Sequence, residues 1–267
     1  MNISSNSIGI FDSGLGGLSV FKEIAALLPF EHSIYLADSK NAPYGNKSKN
    51  EIIRLSIKNT ELLLQKGCKI IVVACNTATT NAIDYLRKNY NVPFIGIEPA
   101  IKPAALTTKS NTIGILATKG TLSSNLFHKT GSQFASHLKV IEQVGKGLVQ
   151  LVETGKLANT ETKNLLKTYL KPMLENNVDN LVLGCTHYPF LIPVIKDIVG
   201  DKITIIDSGQ AVARQTKNVL EKNQILNNEK SEKSNVQRFF YTNANVAMLE
   251  KFVDKIVKSY TCSYLDF

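Results

Sequence analysis

Cysteine is scarce in this 267-residue chain: there are four, none spaced as Cys-x-x-Cys. That scarcity excludes a dense disulfide framework and argues against the usual structural-zinc pattern. No apolar run approaches the ~20 residues that span a bilayer. Residues 1–7 are polar and lack the charged and apolar regions of a secretory leader, so a cytoplasmic location is expected. Arginine is sparse as well, and no basic run is interleaved with aromatics. The net charge of +9 therefore reads as a solvated lysine surface and not as a nucleic-acid footprint. Such a charge still draws anionic ligands towards clefts.

What is present is a core. Hydrophobic residues make up 43% of the chain, enough for one large domain or two modest ones. Strand-like runs alternate with helical patterns, as in a mostly parallel sheet with covering helices. Residues 8–11 lead into a helix over about 18–28, and a strand at 33–37 precedes a loop and a helix over about 49–66. Then come a strand ending at Cys75, a helix over about 79–89 and a strand at 93–97. The order recurs further on. Ile8-Gly9-Ile10 returns as Ile113-Gly114-Ile115, Val72 to Cys75 as Val182 to Cys185, and Ile95 to Glu98 as Thr204 to Asp207, at offsets of 105, 110 and 109. Three matches in one order predict two related α/β lobes. A helical pattern is expected over 142–174, and an exposed helix end with a flexible loop over 221–236. A short strand at 238–241 and a helix over about 246–258 finish the chain.

Cys75 and Cys185 each close a short apolar run and are each followed by a helix-like stretch. Both thiols thus stand at carboxyl ends of parallel strands, where open α/β sheets hold their ligands. One sulfur on each side of a substrate would supply the two opposed proton-transfer groups that inverting a stereocentre requires. Backbone N–H groups at a helix start should lower such a thiol below its ordinary pKa of about 8.5. Cys68 and Cys262 sit in ordinary contexts and read as small hydrophobes. A zinc site from Cys75, Cys185 and His187 is the competing reading, though its spacing is unusual.

The run Asp12-Ser13-Gly14-Leu15-Gly16-Gly17 mimics a dinucleotide fingerprint with Asp38 as its ribose acid. The match fails where Ser19 replaces the third glycine, and Asp12 would repel a pyrophosphate. The glycines better suit a tight turn whose N–H groups meet a small anion, with Asp12 near Cys75. Pro43-Tyr44-Gly45 is a turn, read either as punctuation or as part of a site. Asn76, Thr77, Thr186 and His187 offer donors suited to a carboxylate, and His187 can assist Cys185. Glu153 lies on a helical stretch beside Leu148, Leu151 and Val152 and carries little by itself.

Together these segments closely resemble the glutamate racemases of the cofactor-independent aspartate/glutamate racemase superfamily. The likeness runs over about residues 8–219. It rests on Gly9-Ile10-Phe11-Asp12-Ser13-Gly14-Leu15-Gly16-Gly17, Asn41-Ala42-Pro43-Tyr44-Gly45, Ala74-Cys75-Asn76-Thr77-Ala78, Gly184-Cys185-Thr186-His187-Tyr188-Pro189 and Asp207-Ser208-Gly209. The resemblance implies two related α/β lobes, each a mostly parallel sheet covered by helices, with the active site in the cleft between them. The chain would cross and return, giving one lobe of residues 1–98 plus 208–267 and a second of 99–207. It further implies that Cys75 removes the α-proton of D-glutamate and Cys185 that of L-glutamate. Asp12 would assist the first thiol, and His187 with Glu153 the second. Asp12, Ser13, Tyr44, Gly45, Asn76, Thr77, Thr186 and His187 would contact substrate. No pyridoxal or other cofactor and no metal are implied, and the small-molecule partner is glutamate, with D-glutamate supplied for peptidoglycan. Neither nucleic acid nor membrane is an expected partner, and a homodimer stays open. A sister enzyme acting on aspartate and a non-catalytic anion-binding protein are the rival readings.

Overall fold

The structure, a computed structural model, describes residues 3–227 and 236–267. Its strands are β1 (Ile8–Asp12), β2 (Ser33–Ala37), β3 (Ile70–Val73), β4 (Phe94–Gly96) and β5 (Thr112–Ala117). They continue as β6 (Lys139–Val144), β7 (Asn180–Gly184), β8 (Thr204–Ile206), β9 (Arg238–Thr242) and β10 (Thr261–Tyr264). The helices begin with α1 (Leu18–Leu27), α2 (Lys49–Gln65), α3 (Asn76–Asn89), α4 (Ile101–Thr107), α5 (Lys119–Leu122) and α6 (Asn125–Phe134). They end with α7 (Leu148–Glu153), α8 (Thr160–Glu175), α9 (Ile192–Val199), α10 (Gly209–Lys222) and α11 (Val246–Val253).

Two parallel sheets form, one of six strands in the order β10-β9-β2-β1-β3-β4 and one of four in the order β6-β5-β7-β8. The central strands are buried along their whole length, so they read as mostly apolar runs. The internal repeat is visible as topology: β2-β1-β3-β4 and β6-β5-β7-β8 have the same order. Register repeats too, with Gly9 opposite Ile71 and Gly114 opposite Leu181. Cys75 and Cys185 therefore follow equivalent strands at equivalent depths. Among the described residues no helix is long and apolar enough to cross a membrane.

Three expectations need correction. The helical pattern over 142–174 begins in a strand, because Glu142 belongs to β6. That strand edges its sheet and is half-exposed, so it lacks the continuous apolar run that marks β5 or β7. The helix expected from residue 79 starts at Asn76, directly after Cys75. The helix expected over about 246–258 ends at Val253, and β10, a short, half-exposed edge strand beside β9, escaped the sequence reading. Of the loop expected over 221–236, α10 ends at Lys222 and residues 228–235 lie outside the described residues. Past it the chain returns to the six-stranded sheet, where β9 pairs with β2.

Candidate active site

β3 delivers Cys75 to the start of α3, where its sulfur caps the helix by accepting the Ala78 N–H at 3.4 Å. The Ser13 hydroxyl lies 3.7 Å from the same sulfur. Burial pushes this thiol well above its ordinary pKa, and the Asp12 charge adds to the rise. The Ala78 N–H and Ser13 oppose it and lose. The helix-start lowering expected from the sequence is thus outweighed, since desolvation of a fully enclosed thiolate exceeds one N–H bond.

β7 delivers Cys185, whose sulfur lies 3.8 Å from Nδ1 of His187. The other ring nitrogen donates to Glu153 Oε1 at 2.6 Å. Burial alone would discharge this ring, which is 1% exposed. Hydrogen bonds from the ring to Cys185 and Glu153, and the charges of both, overcome burial and hold its pKa well above the ordinary histidine value. The arrangement suits an imidazolium set between a sulfur and a carboxylate. It brings Glu153, which carried little in the sequence by itself, into contact with His187.

The glycine loop after β1 explains how that carboxylate is held. Leu15 N–H donates to Glu153 Oε1 at 2.6 Å, and the Ser39 hydroxyl donates to Oε2 at 2.8 Å. The anion met by the loop is therefore a side chain of the protein itself. Glycine is needed for clearance: a Cβ on Gly14 would lie 2.1 Å from Glu153 Oε1, and one on Gly16 2.2 Å from His187 Nδ1. Asp12 is fully buried, accepting from Gly14 N–H at 2.9 Å and from the Thr186 hydroxyl at 3.0 Å. Burial raises its carboxyl to about 6, against the lowering influence of His187. Its oxygens face Thr186 and the loop; the group touching the Cys75 sulfur is Ser13.

Asp38, the rejected ribose acid, is a buried anchor. It accepts from Asn41 at 2.7 Å, Tyr44 at 2.5 Å and Asn243 at 2.5 Å, so it fixes the Pro43-Tyr44-Gly45 turn against the sheet. Thr77 Oγ1 meets Thr118 Oγ1 at 2.8 Å. Ser39 and Thr118 were missed from the sequence because each is an isolated hydroxyl in a loop without pattern.

Ser13, Tyr44, Gly45, Cys75, Asn76, Thr77, Cys185, Thr186 and His187 line one narrow cavity of ≈ 10 Å³, together with Pro43, Thr118 and Val149. That is room for about one water molecule. Both polar atoms of the Asn76 amide are buried without a hydrogen-bond partner, a state costing on the order of 1–3 kcal/mol per orphaned group. Among the described residues no cluster of three or more His, Cys, Asp or Glu side chains is placed to hold a metal ion.

A model of the Asp/Glu/Hydantoin racemase family matches residues 8–216. The chain is 45% identical over 227 residues to a glutamate racemase of Herpetosiphon aurantiacus, covering 85% of this chain and 89% of that protein. The crystal structure of the RacE1 glutamate racemase of Bacillus anthracis superposes with a TM-score of 0.83 at 32% identity, covering 98% of each chain. The Escherichia coli glutamate racemase, solved with L-glutamate and the activator UDP-MurNAc-ala, superposes with a TM-score of 0.83 at 32% identity, covering 96% of this chain and 97% of that one.

Proposed function

Because the chain belongs to the Asp/Glu/Hydantoin racemase family, we propose that it interconverts L- and D-glutamate by a two-cysteine mechanism without a cofactor. The observation that carries this reading is the single cavity that both repeated thiols line, shared with an unpartnered asparagine amide. The Cys185 proton passes to His187, and the resulting thiolate takes the α-hydrogen of L-glutamate. Cys75, held as a thiol, gives its proton to the opposite face. D-glutamate leaves, Cys185 now carries the substrate hydrogen, and Cys75 is the thiolate that would start the reverse reaction. Asn76, Thr77 and Thr186 are the donors for the α-carboxylate, whose growing negative charge they stabilise in a water-poor site. Asp12 favours the Cys75 thiol by its charge, and Ser13 orients that sulfur.

A cavity of ≈ 10 Å³ is too small for glutamate, so turnover requires opening. We assign the moving bodies as residues 1–98 with 208–267, and 99–207. The Ser208 hydroxyl donates to the Glu98 carbonyl at 2.5 Å and ties the two crossings together, which suits a hinge. In the cell, a cytoplasmic enzyme of this kind would supply D-glutamate for peptidoglycan. The test is loss of optical activity from L-glutamate incubated with pyridoxal-free, metal-free protein, with L-aspartate in parallel. Decay with glutamate alone supports the reading; preference for aspartate, or no decay with either, overturns it.

A further inference from the structure

The narrow catalytic cavity has a neighbour. A groove of ≈ 470 Å³ shares Pro43, Gly45, Thr118 and Val149 with it. A larger groove of ≈ 680 Å³ along α3 and α6 shares no lining residue with the cavity. The partition between the first groove and the cavity is thin where Gly45 packs on Thr118: a Cβ on Gly45 would lie 2.8 Å from Thr118 Cβ. Thr118 in turn holds Thr77 on the inner side at 2.8 Å.

The charge of this groove is one-sided. Lys119 and Lys146 line it, both exposed, and no carboxylate does. Neither lysine joins an ion pair among the described residues. Glutamate at neutral pH has two carboxylates against one ammonium, so its net charge is negative in either enantiomer.

We propose that this groove is an antechamber in which Lys119 and Lys146 concentrate the anionic amino acid before it passes the Gly45–Thr118 contact into the catalytic cavity. The inference rests on the racemase reading and deepens it: it names an access route and two substrate-gathering residues that touch neither thiol. A unit charge about 10 Å away in water, within the Debye length at low salt, changes the occupancy of an oppositely charged ligand by about 1.5- to twofold, so the pair contributes about two- to fourfold.

The test is steady-state racemisation of L- and D-glutamate by wild type, K119Q/K146Q and K119E/K146E, at about 20 mM and about 0.5 M ionic strength, where screening spans the two regimes. The neutral variant should raise KM about two- to fourfold at low salt with kcat unchanged, the reversed variant should raise it further, and high salt should bring all three together. An active enzyme whose KM is the same in the variants overturns the antechamber and leaves the function standing. A KM change that salt does not diminish overturns it as well, because it marks a packing role. Absence of glutamate racemisation by the wild type overturns both.

Discussion

Glu153→Gln separates the charge of the positioning carboxylate from its shape. Oε1 accepts from both Leu15 N–H and His187, while Oε2 accepts from the Ser39 hydroxyl. A glutamine keeps its oxygen in the first position, and its NH₂ can donate to a rotated Ser39 hydroxyl, so every hydrogen bond survives. What is lost is the negative charge facing the His187 ring. Exchanging a charged hydrogen bond of about 1.5–3 kcal/mol for a neutral one of about 0.5–1.5 kcal/mol costs about 1–1.5 kcal/mol, which converts to a roughly five- to thirteenfold fall in kcat/KM. The two directions must fall equally, because enantiomers in water have equal free energy. Glu153 is also one of the causes that hold the His187 pKa well above its ordinary value. Removing its charge lowers that pKa, so the alkaline limb of the pH profile should move to lower pH. Circular dichroism of glutamate from pH 6 to 10 reads both effects, and thermal unfolding checks that the fold is intact. A stable variant with kcat/KM within about twofold of wild type and an unmoved alkaline limb would refute the imidazolium role.

Asp12→Asn addresses stability. The Asp12 carboxyl is raised from 3.8 to about 6 by burial, so the folded protein holds this proton more tightly than the unfolded chain. Its contribution is fully present below about pH 4 and is lost as pH rises through about 6, an effect of roughly 3 kcal/mol. Calorimetry should therefore find the stability of D12N, relative to wild type, improving from pH 4 to pH 7; a difference independent of pH contradicts the assignment. Gly16→Ala would put a methyl 2.2 Å from His187 Nδ1. Displacing a catalytic ring by about 1 Å costs on the order of 10²-fold, so racemisation should fall by at least that much, and a fully active G16A would contradict the site geometry.

The repeated strands and the paired cysteines were legible because buried parallel strands are written as aliphatic runs and because the same corner occurs twice. The edge strands β6 and β10 were not, since each is half-exposed and its side chains follow no apolar run. At the site, residues next to a cysteine in sequence could be found by adjacency. Ser39 and Thr118 reach it only through the fold, from loops without a pattern. The ionisation of Cys75 was misjudged because the sequence shows the helix start that favours a thiolate and hides the burial that disfavours it. Likewise the glycine loop announced an anion, and only the fold reveals that the anion is Glu153.

The two thiols acting on opposite faces of one carbon are tested most directly by single-cysteine variants in D₂O. Cys75→Ala and Cys185→Ala should each lose at least the ~10²–10⁴-fold typical of one acid–base group in racemisation. Each should still exchange one α-hydrogen for deuterium with retention of configuration, Cys75→Ala on L-glutamate and Cys185→Ala on D-glutamate, as read by proton NMR. Either variant racemising at near wild-type rate, or exchanging both enantiomers alike, would contradict the account.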